Sequence, residues 1–304
     1  MDFKSPSVRL AFPFVLLIIV AVIFRDVPYI YIALIFGLLG LCVIMVFRQQ
    51  IHWHWYSKNP PPLDPQMIGI IERKVPYYRN LSIDYKRFFL KRVSLFLMAK
   101  EFEAISEGES VPADLKGLIA AAAVQIGFGK EQFLFPDFKR IAIHPSAFRS
   151  VENRDFHGSE TFIDPEYKAH SCLIFAADRL IHAFDSPKSG YNIALHEMAN
   201  AYKFKFDLHN AEIPLFNNPT FYENLAKIRG FTVEQAKEYT KNKTLSPFGL
   251  AIEHLFYNPE KFKELMPELY ETFCNLLNQN PINRENPVIF NVDYDLLVEK
   301  KDIY

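Results

Sequence analysis

The chain has 304 residues, a formal net charge of -1 and a hydrophobic share of 50%. A balance this close to neutral excludes an electrostatic footprint for nucleic acid. Its three cysteines, Cys42, Cys172 and Cys274, are far apart and include no Cys-x-x-Cys pair, which excludes a disulfide framework and a thiolate zinc site and matches a reducing compartment. The length admits a membrane segment plus one sizeable domain, and 29 Phe with 15 Tyr predict a large aromatic core.

Residues 10–24 are uncharged and almost wholly apolar, Arg25 and Asp26 interrupt, and residues 27–47 form a second uncharged run. The second run has 21 residues, enough to cross a hydrocarbon core of roughly 30 Å. The first has 15 and reaches that length only with Val8 and a snorkelling Arg9. A signal peptide is the rival reading, but no small-residue cleavage pattern precedes the second run. The two runs predict a transmembrane helical hairpin over residues 1–57, with lipid contacts along residues 8–47. Lys4 and Arg9 flank one end, and Arg48, Lys58, Arg73 and Lys74 follow the other, so the positive-inside rule puts both termini in the cytoplasm. The expectation is a multi-pass protein of the cell membrane with a cytoplasmic soluble domain. His52-Trp53-His54-Trp55-Tyr56 admits a histidine metal site but reads better as an interfacial aromatic belt.

A proline-rich linker over residues 58–65 leads to a soluble domain over residues 66–304. Apolar residues at helical spacing (Phe88, Phe89, Val93, Phe96, Leu97) predict a helix over 84–103, and a dense alanine run predicts a closely packed second helix over 112–127. Residues 140–145 and 172–176 read as strands. Asp185-Ser186-Pro187 has the composition of a helix start. A segment over 232–239 follows a polar region, and further helices are expected over about 247–257 and 260–278. The pattern is a helix-dominated α+β domain with a small β-sheet.

Near the middle of the predicted helix that begins at Asp185 stands His196-Glu197, with Asn200 four residues after the histidine. In the zinc-peptidase pattern His-Glu-x-x-His, two histidines at i and i+4 share one helix face and hold one ion, while the glutamate polarises its water. Here Asn200 occupies the second histidine position, and an amide oxygen is a poor substitute for imidazole at zinc. Taken alone, His196 reads equally as a hydrogen-bonded core histidine. Glu197 on the same buried helix calls for a partner.

Several stretches in order resemble the zinc metallopeptidase family of Mlc titration factor A and, more distantly, the catalytic domain of anthrax lethal factor. They are Val75-Pro76-Tyr77-Tyr78-Arg79-Asn80-Leu81, Arg92 to Glu103, Ile119-Ala120-Ala121-Ala122-Ala123, Ile143-His144-Pro145-Ser146-Ala147-Phe148, Leu195-His196-Glu197, Ile213-Pro214-Leu215, and Leu250-Ala251-Ile252-Glu253-His254-Leu255-Phe256. Their order and spacing, over roughly residues 75–281, carry the resemblance. It implies a zincin-like metallopeptidase domain. By position it assigns His196 as first zinc ligand, Glu197 as general base and Tyr239 as the oxyanion-assisting tyrosine. It also implies that Asn200 and Ser246 stand where the second histidine and a ligand glutamate belong.

Two of three ligand positions are therefore substituted. Rescue ligands are conceivable: His209 in the following loop, or Glu253, which lies about 10 Å further along its helix than Ser246. His254 points about 100° away from Glu253. The leading expectation is a membrane-anchored pseudopeptidase with no zinc cofactor, vestigial Glu197 and Tyr239, and a protein or peptide partner in the former cleft. The alternative is an active zinc-dependent peptidase with a rebuilt metal site. A third possibility is a domain that serves only as an assembly scaffold.

Overall fold

Pro6 opens the first helix, where its missing N–H removes no intrahelical bond. The computed structural model describes residues 5–104, 110–145, 160–162, 172–185, 192–206, 220–230, 232 and 246–290. Contacts divide the chain into two units, Met1–Pro61 and Pro62–Tyr304.

The first unit contains α1 (Pro6–Ile23), α2 (Ile30–Val46) and α3 (Arg48–Lys58). Glycines let α1 and α2 approach closely: a Cβ on Gly37 would meet Ile18 Cγ1 at 2.5 Å, and one on Gly40 would meet the Phe14 ring at 2.2 Å. At the start of α1, Ser5 and Ser7 Oγ lie 3.0 and 2.8 Å from His52 Nε2 on α3. By length and composition α1 can cross a membrane; α2 passes only together with α3, from which it is bent by 65°. The helices differ from the uncharged runs at their ends. α1 extends back to Pro6, whereas α2 begins after Tyr29, which takes the left-handed conformation at φ 67°. Large apolar side chains along both helices are exposed, among them Phe12 at 63% and Ile35 at 60%.

The second unit is helix-dominated α+β. Its elements are α4 (Pro65–Lys74), α5 (Pro76–Asn80), α6 (Ile83–Ala99), β1 (Glu101–Ala104), α7 (Ala113–Gly127), β2 (Arg140–His144), β3 (Glu160–Phe162), β4 (Cys172–Ala176), α8 (Ala177–Asp185), α9 (Ile193–Lys205), α10 (Thr220–Arg229), α11 (Pro247–Tyr257), α12 (Pro259–Leu265) and α13 (Pro267–Leu277). The sheet order is β1-β2-β4-β3. The pairs β1–β2 and β2–β4 are parallel, with Ile141 opposite Phe102 and Leu173, and the short β3 runs antiparallel to β4.

Three predicted boundaries are corrected. The helix expected over 84–103 stops at Ala99, because Glu101 to Ala104 alternate polar and apolar side chains and pair with β2. The buried Lys100 anchors this switch by donating from Nζ to the Phe135 and Phe138 carbonyls, both at 2.6 Å. The helix expected over 260–278 is two helices, because Pro267 cannot donate a backbone bond and forces Met266 out of helical geometry at φ -142° and ψ 62°. Asp185 ends α8 and does not begin the helix that carries His196. Residues 233–239 of the segment read over 232–239 lie outside the described residues.

Helix α7 is the centre of the core. From Gly117 to Gly127 every residue is buried, the alanine run included. Its C-terminal carbonyls are buried with it and need donors. Arg92, fully buried on α6, donates from Nη1 to the Gly127 and Phe128 carbonyls at 2.9 and 3.0 Å, with its guanidinium 4.5 Å from the Phe133 ring centre. Gln279 donates from Nε2 to the Gln125 and Ile126 carbonyls, and Asn278 from Nδ2 to Gly129 O at 2.8 Å. A cation at a helix C-terminus is also favoured by the helix dipole.

Cys172 and Cys274 are buried free thiols whose surroundings raise their pKa by desolvation, and Cys42 is exposed on α2. Neither of the two buried thiols is a poised nucleophile.

Candidate functional site

Helix α9 starts at Ile193 because Asn192 caps it, its side-chain oxygen accepting the Leu195 N–H at 3.1 Å. From Ile193 to Ala199 the helix is buried on every side, packed between α7 and α11. Lys203 and Lys205 in its last turn complement the dipole. Tyr202 fixes the far end: its hydroxyl donates to the Leu276 carbonyl at 3.0 Å, and burial holds the phenol pKa far above its ordinary value.

Helix α11 starts at Pro247 with Ser246 as its cap, the serine Oγ accepting the Gly249 N–H at 2.9 Å. The first turn of α11 meets α9 at His196. A Cβ on Gly249 would stand 2.4 Å from His196 Cδ2 and 2.7 Å from Nε2, so the imidazole seats itself where only glycine leaves room.

Four of the residues singled out in the sequence thus come together. His196 and Glu197 are 1% and 4% exposed. The Ser246 backbone N–H donates to His196 Nε2 at 3.0 Å, and Ser246 Oγ donates to Asn200 Oδ1 at 2.6 Å. His196 Nδ1 is 3.0 Å from Glu197 Oε1. A peptide nitrogen only donates, so Nε2 is the unprotonated ring nitrogen and the proton of the neutral ring sits on Nδ1, directed at Glu197. Asn200 Nδ2 lies 3.5 Å from Nδ1, where it brings two donors together and adds no bond in this tautomer.

Glu253 is buried on α11, two helical turns beyond Ser246. His254 beside it is a core histidine bonded to its own helix, Nδ1 lying 2.8 Å from the Leu250 carbonyl. Tyr239 and His209 lie outside the described residues. Sequence reasoning missed Gly249 and the backbone of Ser246 as partners of His196. The Ser-Pro pair marks a helix start, but nothing local tells which side chain packs against that start.

The site is thus a buried His-Glu pair on one helix, faced by the capped start of a second helix in a helix-dominated α+β domain. A family model described as glucose-regulated metallo-peptidase M90 matches residues 48–277; the match makes the chain a metallopeptidase-like protein, and the chain belongs to that family. The match starts earlier than the resemblance over 75–281 and takes in α3. A curated relative in Synechocystis sp., described as "Uncharacterized protein slr2042", is 22% identical over 232 residues, covering 72% of this chain and 81% of the relative.

The resemblance implies a zinc ion, and the described residues at the positions it assigns do not fit one. The positions assigned by the resemblance, His196, Asn200 and Ser246, offer one imidazole, one amide and one hydroxyl, whereas catalytic zinc takes three strong donors and an open position. The one imidazole has its free lone pair already directed at the Ser246 N–H. Among the described residues no group of three or more His, Cys, Asp or Glu side chains is placed to hold a metal.

Proposed function

We propose that this chain is a membrane-anchored member of the metallopeptidase family that has lost zinc and peptidase activity and works by binding a protein or peptide. The observation that carries this reading is the bond from the Ser246 N–H to His196 Nε2, at 3.0 Å, where the first ligand would meet its ion. Glu197 then acts as partner of Nδ1 and has no activated water to serve. Recognition of a protein or peptide is a role that needs neither metal nor general base.

Two measurements on the full chain in detergent test the chemistry. Elemental analysis is expected to find far less than one zinc per chain, and incubation with a mixed peptide library is expected to give no cleavage above a Glu197→Gln control. Stoichiometric zinc with cleavage that the control lacks would overturn the proposal and favour the rebuilt-site alternative; His209→Ala would then show whether His209 takes part.

The membrane part of the reading is supported by the apolar, exposed faces of α1 and α2. The contact of Ser5 and Ser7 with His52 also joins the start of α1 to α3, the helix that follows α2, so the chain returns to the end of the unit where α1 begins. A reporter fused after Tyr304 is expected to be cytoplasmic, and one inserted between Arg25 and Asp26 external. An external C-terminal reporter would replace the hairpin with a single span or a cleaved segment.

A further inference from the structure

The geometry points to a role for the former ligand positions that does not depend on catalysis: we propose that His196, Asn200 and Ser246 form a hydrogen-bonded latch that joins the start of α11 to the middle of α9 in place of a shared metal ion. The inference takes from the reading above only the identity of the ligand positions. An ion bound by donors from both elements crosslinks them. Here two direct bonds span the same gap.

The latch is built from complementary single-function groups. Ser246 contributes its N–H to His196 and its hydroxyl proton to Asn200, while its lone pair receives the Gly249 N–H. His196 and Asn200 lie four residues apart and so share one helix face, both turned toward Ser246. Glu197, holding Nδ1, orients the imidazole so that Nε2 faces the peptide nitrogen. Gly249 completes the fit by leaving the ring a seat against the first turn of α11. Mutual placement of this kind is specific: in all three bonds through Ser246 a donor faces an acceptor, at 3.0, 2.6 and 2.9 Å.

The latch also excludes cations. A metal approaching Nε2 must displace a peptide N–H, whose dipole presents its positive end to the ion. It gains only neutral oxygens from Asn200 and Ser246 in return. The domain is therefore held without metal.

The test is a double-mutant cycle on the full chain in detergent, read by thermal unfolding. Asn200→Ala and Ser246→Ala are each expected to lower the midpoint by roughly 3–8 °C. The double variant is expected to fall clearly short of the sum, because both changes remove the same bond. Excess chelator should leave the unmodified midpoint unchanged. Additive midpoints, or a fall on adding chelator, would overturn the latch. Ring-nitrogen NMR of histidine-labelled protein, with the His196 signals identified by their loss in His196→Gln, supplies a second readout free of folding effects. Nδ1 should be protonated, Nε2 bare, and neither should shift when excess zinc is added. A zinc-dependent shift, or a proton on Nε2, would sink the proposal. Zinc binding with peptide cleavage would refute the functional reading above, whereas an additive cycle without zinc would refute the latch alone.

Discussion

Replacing Gly129 by alanine is expected to destabilise the second unit by about 3 kcal/mol, near the upper end of what overpacking costs. An added Cβ would stand 2.3 Å from the Leu277 carbonyl oxygen and 2.4 Å from that of Asn278. Both obstacles are backbone, so no side chain can swing aside. Asn278 itself cannot retreat cheaply: it holds the left-handed conformation at φ 53° and donates its amide to the Gly129 carbonyl and to the Phe290 carbonyl. This corner covers the buried C-terminus of α7, so pushing it outward also loosens the donors that Gln279 supplies there. For a domain of this size the unfolding midpoint should drop by roughly 6–12 °C. Gly69 provides the matching control. It lies within α4, and an added Cβ would meet only the Arg73 guanidinium at 3.6 Å. Gly69→Ala is expected to stabilise by about 0.5–1 kcal/mol through helix propensity. Equal effects at the two positions would show that the Gly129 corner yields more readily than its backbone contacts require.

Restoring both inherited ligands, Asn200→His together with Ser246→Glu, is expected to raise zinc affinity by roughly 100-fold or more. The obstacle is the backbone N–H of residue 246, which survives any substitution there except proline. Magnitudes decide which effect wins. A net backbone hydrogen bond contributes about 0.5–1.5 kcal/mol, whereas a full zinc ligand set supplies about 10–16 kcal/mol. With three strong donors the ion displaces the bond; with His196 alone it has no such surplus. Either single restoration should therefore do much less than the pair, since the donors act as a set. Zinc titration of the four proteins, followed calorimetrically, checks this. If the double variant binds no better than either single change, then α11 cannot shift to admit an ion, or residue 246 is not the ligand position.

The two units differ in how much of them was legible. The apolar runs of the first unit are long, unbroken and bounded by charges, so their helices follow from composition, although the start of α2 depends on the left-handed Tyr29. In the second unit, α7 could be placed because an alanine-rich run carries a strong helical signal, whereas the start of α9 was missed, since Asp185 ends α8 and Asn192 is the cap. The switch from α6 to β1 could not, since residues 84–103 continue a plausible helical pattern and the strand exists only because β2 is there to pair with it. The break at Met266 was local and readable from Pro267.

Sequence by itself determined the family and named the residues of the candidate site. The order of motifs along the chain, with His196-Glu197 and Asn200 four residues after the histidine, is a property of residue identity and spacing. The tertiary structure alone decided what those residues do for one another. Ser246 and His196 are 50 residues apart in the chain, and no periodicity links a helix cap to the imidazole of another helix. Their contact requires α9 and α11 to pack at one register, with a glycine at the point of closest approach. The physical reason is that a ligand position is defined by side chain, whereas the group that meets His196 Nε2 is backbone, which every residue carries and only the fold can aim.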